Sequence, residues 1–329
     1  MGNTLTVDDL NATLDDRWEH GTVTGMTAER IGSEYGFSGT VHRLLVETDT
    51  GRHRLIAKTE DAERTRRARD FRSRYEDRLA GLIPRSYGSR VEAARDRGLL
   101  LMEDLAECRQ GDVLVGVGAT QARALVHVLG KIHAVTWLGH ASPRSDVADW
   151  RGTALADVWA DAHWGRALER ARSRYPGDFT AGVVDRLHRL HTELPAAIGT
   201  LREGPVVFAH MDPHLDNTMW RTDGTPLLLD WSNATVAPPT YDLAQLVIAL
   251  ALEHNSPLEP GTVVDAYRAG LGPHEGVETS IRAAMRLFLR GVVGFLGKED
   301  DSAVHPRLLL LRDRAAANLS PILSWLDGD

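Results

Sequence analysis

The sequence predicts an α+β fold in two lobes, a small β-rich N-terminal lobe over residues 1–104 and a larger, mostly helical C-terminal lobe over 105–329. Three observations predict it. The first third consists of short apolar runs broken by polar, Gly-containing turns, and from Thr120 onward apolar residues recur at helical spacing. The third is composition: 329 residues, 43% apolar and 26% charged, fit an ordinary globular protein with one large core or two modest ones.

The chain opens with Thr6 placed to cap a helix over VDDLNATLDDRW. Met1-Gly2-Asn3-Thr4-Leu5-Thr6 also matches the loose N-myristoylation pattern, and the helix cap is the preferred reading. Strand signals follow. Val41, Leu44, Leu45 and Val46 on one side and Leu55, Ile56 and Ala57 on the other flank the polar connection Thr48 to Arg52, which predicts a hairpin. Gly36-Phe37-Ser38-Gly39 falls in a loop ahead of it, where glycines let the backbone approach a phosphate and the Ser38 and Gly39 amides can donate. Lys58 ends the strand Leu55-Ile56-Ala57. It is the only lysine before Lys131, in a chain with three lysines and 35 arginines.

Ala62 to Leu82 reads as a helix whose Arg-rich segment ERTRRARDFRSR is a solvated face rather than a nucleic-acid site. This helix offers Glu63, Asp70 and Glu76 as carboxylates to pair with Lys58. Next, the apolar strand Leu99-Leu100-Leu101-Met102 runs straight into Glu103-Asp104-Leu105, as a hinge between lobes would, with its backbone on a purine edge. Further on, Leu125, Val128, Leu129, Ile132 and Val135 share one helix face, and Ile281, Met285, Phe288, Val292 and Phe295 another. Between Gly139 and Arg202, Trp150, Trp159 and Trp164 either pack a helical subdomain or wall an acceptor pocket, with Asp157 and Asp161 at helical spacing beside them.

The chemistry concentrates between Val206 and Asp242. An apolar run, Val206 to Phe208, delivers His210-Met211-Asp212; Asn217 follows, and after a turn at Thr222-Asp223-Gly224 a second run, Leu227 to Leu229, delivers Asp230. The two runs read as a hairpin with polar groups at its ends. Phosphoryl transfer needs such parts: a carboxylate to orient the acceptor hydroxyl and take its proton, metal ions held by a carboxylate and an amide oxygen, and a strand lysine on the α- and β-phosphates. Asp212 fits the base, Asn217 and Asp230 the magnesium ligands, and Lys58 the phosphate lysine.

HMDPHLDN, LLLDW and Tyr241-Asp242-Leu243-Ala244 resemble the aminoglycoside phosphotransferase and choline kinase-like family, small-molecule kinases of the protein-kinase-like fold. The family's catalytic loop reads HGDLHxxN, and here Met211 replaces the Gly and Pro213 the Leu. GFSG followed by IAK resembles the family's glycine loop and strand lysine, and LLLMEDL its hinge, so the resemblance implies that Ser38, Gly39, Lys58, Glu103 and Leu105 bind nucleotide. It also favours Asp70 as the partner of Lys58, and it implies that His210 and Asp242 brace the catalytic loop.

The expected activity is transfer of the γ-phosphate of ATP or GTP, with Mg2+, to a hydroxyl of an antibiotic such as an aminoglycoside or nucleoside antibiotic, giving resistance. A metabolic sugar, amino-alcohol or nucleoside kinase is the alternative, and a nucleotide-binding pseudokinase a third reading. A net charge of −8 argues against nucleic-acid and anionic-membrane partners. The apolar runs are too short to cross a bilayer, and a lone cysteine, Cys108, is compatible with a reducing cytoplasm, the expected location.

Overall fold

The computed structural model describes residues 5–32, 39–140, 150, 164–253, 260–274, 277–298 and 306–327. The chain forms two compact units, one of residues 1–109 with 219–223 and 227–234, the other of 110–218, 224–226 and 235–329. A single cut after residue 104 therefore misses a return of the chain, which brings Asp230 into the first unit.

The first unit is built on an antiparallel sheet ordered β1-β2-β3-β5-β4, with β1 Val23–Ile31, β2 Thr40–Thr48, β3 Gly51–Glu60, β4 Ser86–Glu92 and β5 Arg97–Glu103. The expected hairpin is β2-β3, closed where Thr48 faces Gly51. Alternation along the strands sends Leu44, Val46, Leu55, Ala57 and Leu101 into a core shared with Leu10 and Trp18. Helix α1 (Val7–Asn11) starts as expected, with Thr6 and Asp9 forming a capping box, but it stops far short of Trp18. It stops because the Asn11 carboxamide bonds both the carbonyl and the amide of Val23, tying the chain to β1. Helix α2 (Ala62–Tyr75), capped by Asp61, buries Ala62, Thr65, Ala68, Phe71 and Arg72.

The second unit is mostly helical: α3 (Ala119–Val135), α4 (Trp164–Arg174), α5 (Ala181–Glu203), α6 (Pro239–Glu253), α7 (Pro260–Leu271), α8 (Val277–Leu296), α9 (Pro306–Ala317) and α10 (Leu319–Asp327). Both predicted apolar faces are present: Leu125, Val128, Leu129 and Ile132 are buried on α3, and Ile281, Met285 and Val292 on α8. Trp164 is buried and stacked on His191, a packing role, and Trp150 is fully buried, while Trp159, Asp157 and Asp161 lie outside the described residues. No helix among the described residues is long and apolar enough to cross a membrane.

One predicted pairing is corrected. Strand β8 (Val206–Ala209) pairs with β7 (Trp137–Gly139) and β11 (Thr235–Ala237), not with the run at Leu227. That run, in β10 (Pro226–Leu228), neighbours β9 (Thr218–Trp220) across the turn at Thr222 to Gly224. Two apolar runs of similar length say which segments are strands and not which partner each one takes.

Candidate active site

In the first unit the side chains of Lys58, Glu60, Asp230 and Ser232 form one network. Lys58 Nζ donates to Asp230 Oδ1 at 2.5 Å and to Ser232 Oγ at 2.8 Å, and lies 3.0 Å from Glu60 Oε2. Ser232 in turn donates to the Glu60 carboxylate, both of whose oxygens lie 2.8 Å from its hydroxyl. Lys58 and Glu60 reach the same side because residues two apart on a strand point alike. The Asp230 turn is fixed locally: Asp230 has φ +52, and its carboxylate accepts from the Ser232 amide. Beside it the Trp231 ring stacks on Phe71 of α2 at 3.7 Å and 4°. Burial pushes the Glu60 carboxyl above the usual carboxylate range, against the pull of Lys58 and the Ser232 hydrogen bond.

Gly39 lies against this strand. Its φ of +144 and a virtual Cβ 2.9 Å from the Thr59 carbonyl leave room for glycine alone. Gly36 and Ser38 lie outside the described residues.

In the second unit the loop after β8 is held from behind. The Asp242 carboxylate, in the first turn of α6, accepts from the amides of His210 at 2.6 Å and Met211 at 2.8 Å. It also lies 3.2 Å from His133 Nε2, whose Nδ1 meets the Tyr267 hydroxyl at 2.7 Å. Burial, with the Asp242 charge, raises the Tyr267 phenol well above its ordinary range. These groups are fully buried, whereas the Asp212 side chain, just past the loop's bend, is 36% exposed. Asp212 Oδ1 accepts from Gln245 at 3.2 Å and its backbone carbonyl from Asn217 at 3.0 Å.

The structure joins Lys58 to Asp230 and Asp212 to Asn217, and joins Lys58 to none of the three carboxylates expected to hold it. Asp70 faces Arg69, Glu63 pairs with Arg66 and Arg67, and Glu76 bonds Ser86. None of the three meets Lys58, because the α2 residue that packs on the Asp230 turn is the apolar Phe71. Glu103 ends β5, its amide donating to the Arg85 carbonyl, and the Leu105 carbonyl accepts from Cys108 in the following turn. The residues sequence reasoning missed are Glu60, Ser232 and Gln245. The signal for Glu60 was its place two residues after the strand lysine.

The sequence profile of the phosphotransferase enzyme family (APH) matches residues 36–288, most of the chain. The chain belongs to that family. No curated protein sequence matches this phosphotransferase. Among solved structures it is similar to an aminoglycoside phosphotransferase from Alicyclobacillus acidocaldarius (15% identity, TM-score 0.59, 100% of this chain and 97% of that one). It is also similar to a spectinomycin phosphotransferase in complex with ADP and spectinomycin (10%, 0.59, 97% of each) and to choline kinase from Cryptosporidium parvum (11%, 0.57, 98% and 96%). At such identities the likeness establishes the fold, which is α+β and kinase-like.

The side chains this phosphotransferase presents suit a hard divalent cation. The Asn217 carboxamide nitrogen is engaged by the Asp212 carbonyl and by His214, and its Oδ1 accepts no hydrogen bond among the described residues. In the other unit Asp230 supplies a carboxylate whose side chain is 27% exposed, a hard oxygen donor of the kind magnesium takes. Among the described residues no three His, Cys, Asp or Glu side chains form a metal cluster. Magnesium does not need one, since it takes one or two protein oxygens and completes its shell with phosphate and water.

Proposed function

We propose that this phosphotransferase moves the γ-phosphate of ATP or GTP to a hydroxyl of a small molecule, and that the acceptor is an antibiotic such as an aminoglycoside or a nucleoside antibiotic. Two local arrangements support the reading. Lys58 and Asp230 are joined in one unit, and Asp212 is exposed and oriented by Asn217 and Gln245 in the other. Lys58 neutralises the phosphates, and Gly39 with Ser38 offers the backbone to them. Glu103 and Leu105 present backbone to the purine. Asp212 orients the acceptor hydroxyl and accepts its proton. Asn217 and Asp230 would hold magnesium, which when bound offsets the charge on the transferring phosphoryl group.

The expected result is Mg2+-dependent gain of one phosphoryl group, seen by mass spectrometry, when the protein meets ATP or GTP and a panel of hydroxylated antibiotics, sugars, amino alcohols and nucleosides. Gain on antibiotics and not on metabolites supports a resistance enzyme, and the reverse pattern a metabolic kinase. Nucleotide binding with no turnover across the panel would overturn both.

A further inference from the structure

The carboxylate that holds the phosphate lysine comes from the lysine's own strand. We propose that Glu60 is the positioning residue of Lys58, and that Ser232 couples the pair to the turn carrying Asp230. This rests on the reading of Lys58 as the phosphate lysine.

An isolated strand lysine has four rotatable bonds and would spend little time at one phosphate position. A carboxylate from a neighbouring helix is one way to fix it, and α2 lies alongside. Yet the three acidic side chains considered on α2 and just after it are all committed elsewhere: Glu63 to Arg66 and Arg67, Asp70 to Arg69, and Glu76 to Ser86, Arg17 and Arg72. The face of α2 toward the Asp230 turn carries Phe71, fully buried and stacked on Trp231. A carboxylate in Phe71's place would be buried against an indole.

Glu60 fills the gap by strand geometry. Its side chain is 1% exposed, and both its oxygens are used, one 3.0 Å from Lys58 Nζ and both within 2.8 Å of Ser232 Oγ. So deeply buried a carboxylate is maintained only by its partners, and these partners are the phosphate lysine and the residue two past Asp230. The arrangement has a mechanical consequence. A carboxylate on a helix releases the lysine when the helix swings away, whereas Glu60 sits in the same β-ladder as Lys58 and cannot. Lysine placement is therefore built into the sheet, and α2 bears on it only through the Asp230 turn, where Trp231 stacks on Phe71.

With only three lysines in the chain, Lys58 can be followed directly. The test labels lysines with 13C at Cε and compares wild type, Glu60→Gln, Glu60→Asp and Ser232→Ala by NMR. Reductive-methylation rates at each lysine are read in parallel by peptide mass spectrometry, and dissociation constants for magnesium ATP and GTP by calorimetry. Glu60→Gln is expected to shift the Lys58 resonance, speed its methylation several-fold relative to Lys131 and Lys298, and weaken nucleotide binding about tenfold, with Glu60→Asp in between. Should Glu60→Gln fail to fold, Ser232→Ala is expected to show the same signature at smaller amplitude. An unchanged Lys58 resonance and methylation rate would overturn the proposal, and so would a released lysine with unaltered nucleotide affinity. If wild type binds neither nucleotide, the functional reading fails by itself, and the Lys58 signals still decide whether Glu60 holds the lysine.

Discussion

Met211 has φ +69, in the left-handed region that glycine enters freely and a side chain enters at a cost of about 1–2 kcal/mol. Its amide is pinned to Asp242 Oδ1, so the loop keeps this bend whichever residue occupies it. Glycine at 211 would relieve the strain while adding about 0.5–1 kcal/mol of unfolded-state entropy, so the two terms nearly cancel. Met211→Gly is therefore expected to leave the melting temperature level or slightly higher, and Met211→Val to lower it by several degrees, read by thermal denaturation. One residue on, Asp212 carries the proton transfer in our proposal. Asp212→Asn should retain the fold and bind nucleotide normally, with turnover down by about 10²-fold or more in a coupled assay. Turnover near that of wild type would remove Asp212 from the role.

Elements matter here through what they tie together. Arg307, on α9, places Nη2 2.7 Å from both Asp112 and Asp216, and Asp216 is the neighbour of Asn217 in the loop after β8. Helix α9 lies beyond the stretch that matches the family profile and yet anchors that loop. Burial raises the Asp112 carboxyl, but hydrogen bonds from Arg307 and the Leu114 amide outweigh it and leave the group below its ordinary value of 3.8. The unfolded chain then binds the extra proton, so this stabilisation is present above about pH 4 and lost as the pH falls below it. Arg307→Ala is expected to cost about 2 kcal/mol in urea denaturation at pH 7 and to flatten the acid limb of the stability profile. Such ties were not legible in the sequence, for an Arg and an Asp nearly 200 positions apart carry no spacing signal. What was legible followed from periodicity, as in the β2-β3 hairpin and the α3 and α8 faces, and from motif spacing, as in the grouping of Asp212 with Asn217. The partner of β8 and the lysine's carboxylate were not, because a pairing is decided by which surfaces pack. Phe71 on Trp231 fills the place where an α2 carboxylate was expected.

For the whole molecule the open term is the acceptor, and two global properties bear on it. The segment between Asp230 and α6 holds only a 3-10 turn and the three residues of β11 before Pro239 begins the helix, and Trp231, Val236 and Ala237 in it are buried. A kinase acting on proteins needs a long exposed segment after the metal-binding Asp to lay out a peptide. Here that stretch is consumed by packing, so generic protein substrates should take up no label from γ-labelled nucleotide under conditions that phosphorylate a small acceptor. The second property is charge. At −8 the molecule attracts cations over a distance of about 10 Å in ordinary buffer, and an acceptor bearing several amino groups, as an aminoglycoside does, would be steered toward it. For such an acceptor kcat/KM is expected to fall several-fold between low and high ionic strength with kcat nearly constant, while a neutral nucleoside or sugar acceptor shows no such slope. Measuring the salt dependence across the phosphorylated members of the panel checks this. A flat profile for a polycationic acceptor would show that the charge excess plays no part in its capture.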